Sequence, residues 1–213
     1  LVNSNIPFLS LVFHPILCYT ILITTGGAAM KTLILHGSPR RNGDSAALLR
    51  VLTESLEGDY RIIDTYHAKI SPCVDCRFCR THEGCAIDDE MALLYREIEQ
   101  CDRIVIASPI YFNELTGRML DVCSRLQMYF SMQHFQNKTI PMRPKCGGVI
   151  LTGGGAGQPE KPYATAVCLL HHMGVKEIFP LVCSFNTDTL PAAEDTETIA
   201  QVQRLASFLN RRM

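Results

Sequence analysis

A chain of 213 residues with 20 Lys and Arg against 21 Asp and Glu has a net charge of -1, without the basic excess that nucleic-acid binding demands. With 47% hydrophobic and 19% charged residues it can bury one sizeable core, which excludes bulk disorder. Ten cysteines are too dilute for a disulfide-built miniature, yet four of them crowd between positions 73 and 85.

The charge is unevenly placed, because Leu1 to Met30 contain no Asp, Glu, Lys or Arg. Ile6 to Ile23 is mostly apolar but is interrupted by Pro7, His14 and Pro15. No basic region precedes it, and a membrane-spanning helix needs about 20 apolar residues. Residues 1–29 are therefore expected to lie outside the fold as a mis-set start or non-native extension, with a membrane anchor and a signal peptide as the alternatives. Residues 30–213 are expected to form the working domain.

From Lys31 onward, apolar runs alternate with helical spacings. Leu33 to His36 is a short strand ending on the turn residues Gly37-Ser38-Pro39. Leu48, Leu52 and Leu56 recur at i, i+4 and i+8 and predict a helix closed by Gly58. Tyr60 to Thr65 predicts a second strand, and the cysteine-rich loop follows it. The next helix opens at Asp88-Asp89, whose carboxylates suit a helix N-terminus, with Met91, Leu94, Tyr95 and Ile98 as its buried stripe. Arg103 to Ala107 is a third strand bounded by Ser108-Pro109, followed by a helical face of Leu115, Met119, Val122 and Leu126. Gln127 to Phe135 concentrates Met and aromatic residues, suited to covering a ligand, forming a dimer interface or extending the core. Cys146 to Thr152 predicts a fourth strand that runs into Gly153-Gly154-Gly155-Ala156-Gly157. A helix over Tyr163 to Met173 ends at Gly174 in the C′ position. Val175 to Cys183 predicts a fifth strand, which Pro180 places at a sheet edge. Thr196 to Asn210 closes as a helix through Ile199, Val202, Ala206 and Leu209. Five near-continuous apolar strands separated by helices predict one α/β domain, with a parallel sheet covered on both faces.

In such sheets ligands bind beyond the carboxyl ends of the strands. Three strands end in distinctive loops. Gly37-Ser38-Pro39-Arg40-Arg41-Asn42-Gly43-Asp44-Ser45 leads into a helix, where small residues, hydroxyls and N–H groups suit an anion. Its plain alternative is a polar turn with Asp44 or Ser45 as N-cap. The loop has neither the P-loop pattern nor G-x-G-x-x-G, which disfavours a kinase or NTPase. Ser108-Pro109-Ile110-Tyr111-Phe112-Asn113 offers aromatics for a flat ring or for packing. Thr152 to Gly157 offers N–H groups for a heterocycle edge or simply a flexible turn. Three such loops on one sheet are much stronger evidence of a site than any one of them.

His36-Gly37-Ser38-Pro39-Arg40 through Gly43, Ser108-Pro109-Ile110-Tyr111-Phe112 and the glycine loop after the fourth strand resemble the flavodoxin-like NAD(P)H-dependent FMN reductases. With the cysteine cluster, the chain is most similar to their iron–sulfur flavoprotein branch. The resemblance covers Lys31 to Cys183. It implies a flavodoxin-like three-layer sandwich with a five-stranded parallel sheet in order 2-1-3-4-5, which agrees with Pro180 at the edge. It implies FMN, with phosphate held by Ser38, Arg40, Asn42 and Ser45. The flavin ring would lie against Pro109, Ile110, Tyr111 and Phe112, with Thr152, Gly153 and Gly154 near its edge. Asp44 stands where the family commonly has an uncharged residue, and it is expected to turn away as a helix cap.

Cys73, Cys76, Cys79 and Cys85 are spaced C-x2-C-x2-C-x5-C, and four thiolates in a tight loop satisfy a [4Fe–4S] cluster. The spacing matches the compact iron–sulfur flavoprotein motif, with Pro72 and Gly84 supplying turns. Zinc and free thiols remain open, since structural zinc sites usually pair two separated knuckles. Cys101, Cys123, Cys146, Cys168 and Cys183 fall in or beside apolar periodic segments and are expected to be small buried hydrophobes. Cys168 with His171 and His172 has the spacing of a metal pair but sits on a predicted helix and reads as ordinary packing.

The resemblance implies an oxidoreductase in which FMN accepts hydride from NAD(P)H, a reaction that requires no side-chain acid or nucleophile. With a cluster, the acceptor would be a ferredoxin-like protein; without one, a small quinone, azo or nitro compound. It also implies a cytoplasmic homodimer or tetramer. The competing classes are a flavodoxin-type electron carrier, whose usual strong acidity a charge of -1 does not match, and a structural metal-binding domain.

Overall fold

The computed structural model of the protein describes residues 29–211, so nearly all of the uncharged leader lies outside the described residues. The apolar runs form the expected strands β1 (Lys31–His36), β2 (Asp59–Asp64), β3 (Arg103–Pro109) and β4 (Lys145–Thr152). The leucine and valine spacings form α1 (Asp44–Ser55), α2 (Met91–Gln100), α5 (Glu160–His172) and α6 (Thr196–Leu209). Gly174 follows α5 with φ +88, the left-handed stop predicted for it. Among the described residues no helix is long and apolar enough to cross a membrane.

Two elements depart from expectation. The fifth strand is two short ones, β5 (Val175–Ile178) and β6 (Val182–Ser184), separated by Phe179-Pro180-Leu181. Pro180 has no N–H to donate, so the ladder is interrupted there rather than merely confined to an edge. β5 pairs with the start of β4 and β6 with its end. The third helix is shorter than its predicted face, since α3 (Gly117–Ser124) stops before Leu126, and the Met- and aromatic-rich segment after it forms a helix of its own, α4 (Gln127–Gln136). Thr116 caps α3 by accepting from the Met119 N–H, which leaves Leu115 outside the helix.

All strands pair in parallel, in the order β2-β1-β3-β4-β5, with β6 also on β4. Side chains alternate between faces. Leu33, Leu35, Ile104, Ile106, Val149 and Leu151 pack toward α2 to α5, whereas Ile34, Val105 and Ile150 meet Leu48 and Leu52 of α1 and Val202, Leu205 and Leu209 of α6. The result is the predicted three-layer sandwich, and each fully buried aliphatic side chain contributes about 1.5–3 kcal/mol. Cys101, Cys123 and Cys146 are buried as expected and Cys183 is partly so, but Cys168 is exposed. On α5 the inward positions go to Pro162, Ala166 and Leu170, and Cys168 falls between them.

The register aligns His36 with Ala107 and Pro109 with Thr152. β1, β3 and β4 therefore discharge their loops at one edge of the sheet.

Candidate functional site

The loop after β1 is pinned to its neighbours from its first residue. The Gly37 N–H donates to the Ala107 carbonyl at 2.8 Å, and the Thr116 hydroxyl donates to the Gly37 carbonyl at 2.8 Å. Ser38 is buried, and its Oγ accepts from the Arg40 N–H at 3.2 Å, which curls the loop. Arg40, Arg41 and Asn42 are exposed, and Arg40 pairs with Asp44 at 3.5 Å. The N-cap of α1 is Gly43, which has no side chain to give, so the first-turn N–H groups stay open to an anion. Asp44 is thus not the cap. Its carboxylate turns away and accepts from the Ala192 N–H at 3.1 Å. Ser45 is buried, and its hydroxyl meets that of Thr152 at 2.7 Å, joining the first loop to the third. Behind this loop His36 is buried with its Nε2 unpartnered. Burial pushes its pKa below the ordinary histidine value, and the Asp64 carboxylate only partly opposes the shift.

The second and third loops interlock. The Ile110 N–H donates to the Thr152 carbonyl at 2.9 Å. Tyr111 and Glu114 exchange N–H···O bonds of 2.9 and 3.0 Å around a two-residue turn, with φ 51 at Phe112 and 57 at Asn113. This hairpin is moored three times: Asn113 Nδ2 donates to Gln158 Oε1 at 2.8 Å, the Thr165 hydroxyl donates to the Glu114 carboxylate at 3.2 Å, and Lys161 pairs with that carboxylate at 3.5 Å. Phe112 is fully exposed and Tyr111 is 44% exposed, so both rings are presented outward rather than packed in the core. In the glycine loop the Gly153 N–H is already given to the Ser184 carbonyl at 2.9 Å. Gly154, Gly155, Ala156 and Gly157 have N–H groups without partners among the described residues, so this loop has donors a ring edge can use. An aspartate missed by sequence reasoning stands here: a Cβ on Gly154 would lie 2.5 Å from Asp188 Oδ2.

The cysteine loop forms a separate cradle. Asp75 and Arg77 take φ 47 and 64 on either side of Cys76, and Gly84 takes φ 80 before Cys85. Alternating left-handed residues curl backbone N–H groups inward, the geometry that favours anionic and iron–sulfur groups. Cys73, Cys76, Cys79 and Cys85 all line one cavity of ≈ 80 Å³, whose walls include Arg125 and, from α4, Met128, Phe130 and Phe135. The Met- and aromatic-rich segment 127–135 thus serves this cavity as well as the core. Among the described residues no three His, Cys, Asp or Glu side chains stand together as a site for a single metal ion. Tetrahedral zinc needs four ligands at about 2.3 Å from one point. A four-iron cluster instead takes its four thiolates at separate corners, which suits sulfurs spread around a cavity.

Sequence reasoning also missed Arg125, which is 1% exposed and within 2.8 Å of Asp89. Burial alone would raise the Asp89 pKa, but hydrogen bonds from the Ser71 amide, Arg125 and the Met91 amide outweigh it and hold the carboxyl below the usual range. In sequence, Asp89 shows only as a helix-terminal charge. A lone arginine in an apolar helical spacing gives no sign of partners so distant in sequence.

Residues 30–188 match the model of the NADPH-dependent FMN reductase family. An iron–sulfur flavoprotein of Archaeoglobus fulgidus is 26% identical over 181 residues, covering 84% of this chain and 78% of that protein. The solved structure of an FMN-dependent NADH-azoreductase of Bacillus anthracis, in complex with FMN, superposes with a TM-score of 0.63 at 15% identity, over 85% of this chain and 100% of that one. The NAD(P)H:quinone oxidoreductase of Methanothermobacter marburgensis superposes with a TM-score of 0.59 at 15% identity, over 87% and 100%. At these identities the two structures speak for the flavodoxin-like fold alone. All three edge loops and the cysteine loop fall inside the family match, and the chain belongs to the NADPH-dependent FMN reductase family of FMN-dependent oxidoreductases.

Proposed function

We propose that this chain takes electrons from NAD(P)H on FMN and serves one-electron delivery to an acceptor, with Cys73, Cys76, Cys79 and Cys85 as ligands of a [4Fe–4S] cluster. The observation that carries the proposal is four thiols, spaced C-x2-C-x2-C-x5-C, lining one cavity beside a buried guanidinium. For FMN, the uncapped α1 N-terminus with Ser38, Asn42 and Ser45 suits a phosphate. Arg40 adds positive charge, although Asp44 takes part of it. Pro109, Ile110, Tyr111 and Phe112 supply a surface for the ring, and Thr152, Gly153 and Gly154 lie at its edge, with Gly153 holding the loop shape and Gly154 offering its N–H.

Bound there, FMN supplies hydride acceptance and the conversion from paired to single electrons. A cluster in the cysteine cradle supplies one-electron transfer at a potential set by its surroundings. The chain's own residues bind, orient and exclude water, and none of them has to act as an acid or nucleophile. The acceptor that fits a cluster is a ferredoxin-like protein. For a cluster-free protein the acceptor is instead a small azo, quinone or nitro compound. The exposed Phe112, Phe130 and Phe135 are consistent with a homodimer or tetramer, which light scattering tests.

Anaerobic reconstitution with FMN, iron and sulfide, followed by absorption spectra and metal counts, decides the central claim. About four iron and four sulfide per chain are expected, with flavin bleached by NADH or NADPH. Flavin bands without iron would leave a cluster-free reductase. Flavin that neither nicotinamide reduces, but a redox protein does, would make the chain an electron carrier.

A further inference from the structure

Arg125 closes α3 directly beneath the cysteine loop. Its Nη1 donates to the Ser71 carbonyl at 2.9 Å and to Asp89 Oδ2 at 2.8 Å, and its Nη2 donates to the Ile87 carbonyl at 3.2 Å. Ser71 lies just before Cys73 and Ile87 just after Cys85, so one guanidinium holds both ends of the loop. Its Nε–H is buried and has no partner among the described residues, and the residue lines the cavity that the four thiols share. A buried cationic donor left without an acceptor is costly, and native sites normally supply one. The cavity offers sulfur. The other arginines on its wall, Arg77 and Arg80, belong to the exposed or half-exposed loop, whereas Arg125 is sealed from water.

Asp89 does not cancel this arrangement. It neutralises the pair as a whole, but only Arg125 lines the cavity, so the positive end of the pair faces the thiols. Four thiolates around a [4Fe–4S] core make an anion, and reduction adds one electron to it. A fixed positive end therefore stabilises the reduced form more than the oxidised one.

We propose that Arg125 is a positioning residue for the group held by the four cysteines: it clamps both ends of the loop and donates its Nε–H to the anionic sulfur, raising the reduction potential. This rests on the [4Fe–4S] reading above. Arg125 does the clamping before any metal is present, and Asp89 sets how much of its charge the cavity receives.

The test uses the full chain, reconstituted anaerobically with FMN, iron and sulfide, as wild type, Arg125→Gln and Asp89→Asn. Iron and sulfide per chain are counted, and the cluster potential is measured by mediated titration followed by electron paramagnetic resonance. FMN content and far-ultraviolet circular dichroism check the fold. Arg125→Gln is expected to shift the potential to more negative values and to lower the iron content. Asp89→Asn, which leaves the guanidinium uncompensated, is expected to shift it to more positive values. A mere strut would change iron content without moving the potential in either direction, and that result overturns the proposal. If Arg125→Gln takes up no iron, Asp89→Asn decides alone, and an unchanged or lowered potential overturns the proposal. Wild type without iron sinks the cluster reading and this inference together, whereas a wild-type cluster with two unshifted variants sinks the inference only.

Discussion

His36 is sealed behind the loop that follows β1, with Nε2 buried and without a partner among the described residues. Burial lowers its pKa first, Asp64 opposes part of the shift, and His67 adds to it. In the unfolded chain it titrates near the ordinary value of about 6.5. Between its depressed folded value and about 6.5 the unfolded state binds more protons, so stability falls as pH is lowered through that window. Above about 6.5 neither state is protonated and the contribution is flat. For one proton the slope is at most about 1.4 kcal/mol per pH unit. His36→Gln removes this titration while Asp64 and His67 remain. Urea unfolding at several pH values should show wild type losing stability relative to the variant only on the acid side. A difference that is constant with pH would mean that His36 is protonated as easily in the folded protein as in the unfolded one.

At the scale of elements, the glycine loop depends on one close approach. Gly157 has φ +70, and a Cβ there would lie 2.0 Å from Cε1 of Phe185. The loop is zipped to the segment after β6 by the bonds from Gly153 N–H to Ser184, Asn186 N–H to Gly155 and Thr187 N–H to Gly153. Gly157→Ala therefore has to displace the Phe185 ring and adopt a left-handed backbone costing about 1–2 kcal/mol. FMN binding, followed by quenching of flavin fluorescence, is expected to weaken about tenfold, since about 1.4 kcal/mol is a decade. Adding Phe185→Ala should recover part of the loss by removing the clash but not the strain, and full retention of affinity in Gly157→Ala would separate this loop from the flavin. The loop itself was legible, because glycine clusters after an apolar strand have few other uses. The end of α3 at Ser124 was not, because the predicted apolar face ran on to Leu126. No glycine or proline marks Arg125-Leu126, and helical spacing continues across it; the break falls at the residue whose guanidinium reaches the Ser71 and Ile87 carbonyls. The parallel sheet was legible because buried strands read as unbroken apolar runs, whereas its order came only with the family resemblance; Pro180 marks the edge that β5 and β6 do occupy, but the continuous apolar run hid the break it makes between them.

At the scale of the molecule, stability and chemistry are held at opposite ends of the sheet. Arg103 opens β3, a position that in sequence looks like an exposed strand end, yet its side chain is fully buried. Its guanidinium donates to the Leu209 carbonyl, Asn210 Oδ1 and the Met30 carbonyl at 3.2 Å each, and to the Glu57 carbonyl. Asn210 in turn accepts from the Glu57 N–H and donates to the Ser55 carbonyl, both at 2.9 Å. One knot thus fastens the ends of α1 and α6 to the start of β1. Pro109 and the three edge loops lie at the other end of β3, about 20 Å away at the rise of a parallel strand. Arg103→Met keeps much of the volume and removes the donors, and hydrogen bonds from a charged group are worth about 1.5–3 kcal/mol each before compensation. Because the Met30 carbonyl also accepts from the Asp59 N–H at 2.9 Å, not every acceptor is stranded. A net loss of about 3 kcal/mol is expected on that basis. For a chain of this size that lowers the midpoint of thermal unfolding by about 6–12 °C. FMN affinity and NAD(P)H oxidation, measured well below that midpoint, should stay within about twofold of wild type, because no bond of the knot reaches the three loops. Affinity that fell in step with stability would show instead that the sheet transmits strain along its whole length, with the two ends acting as one unit.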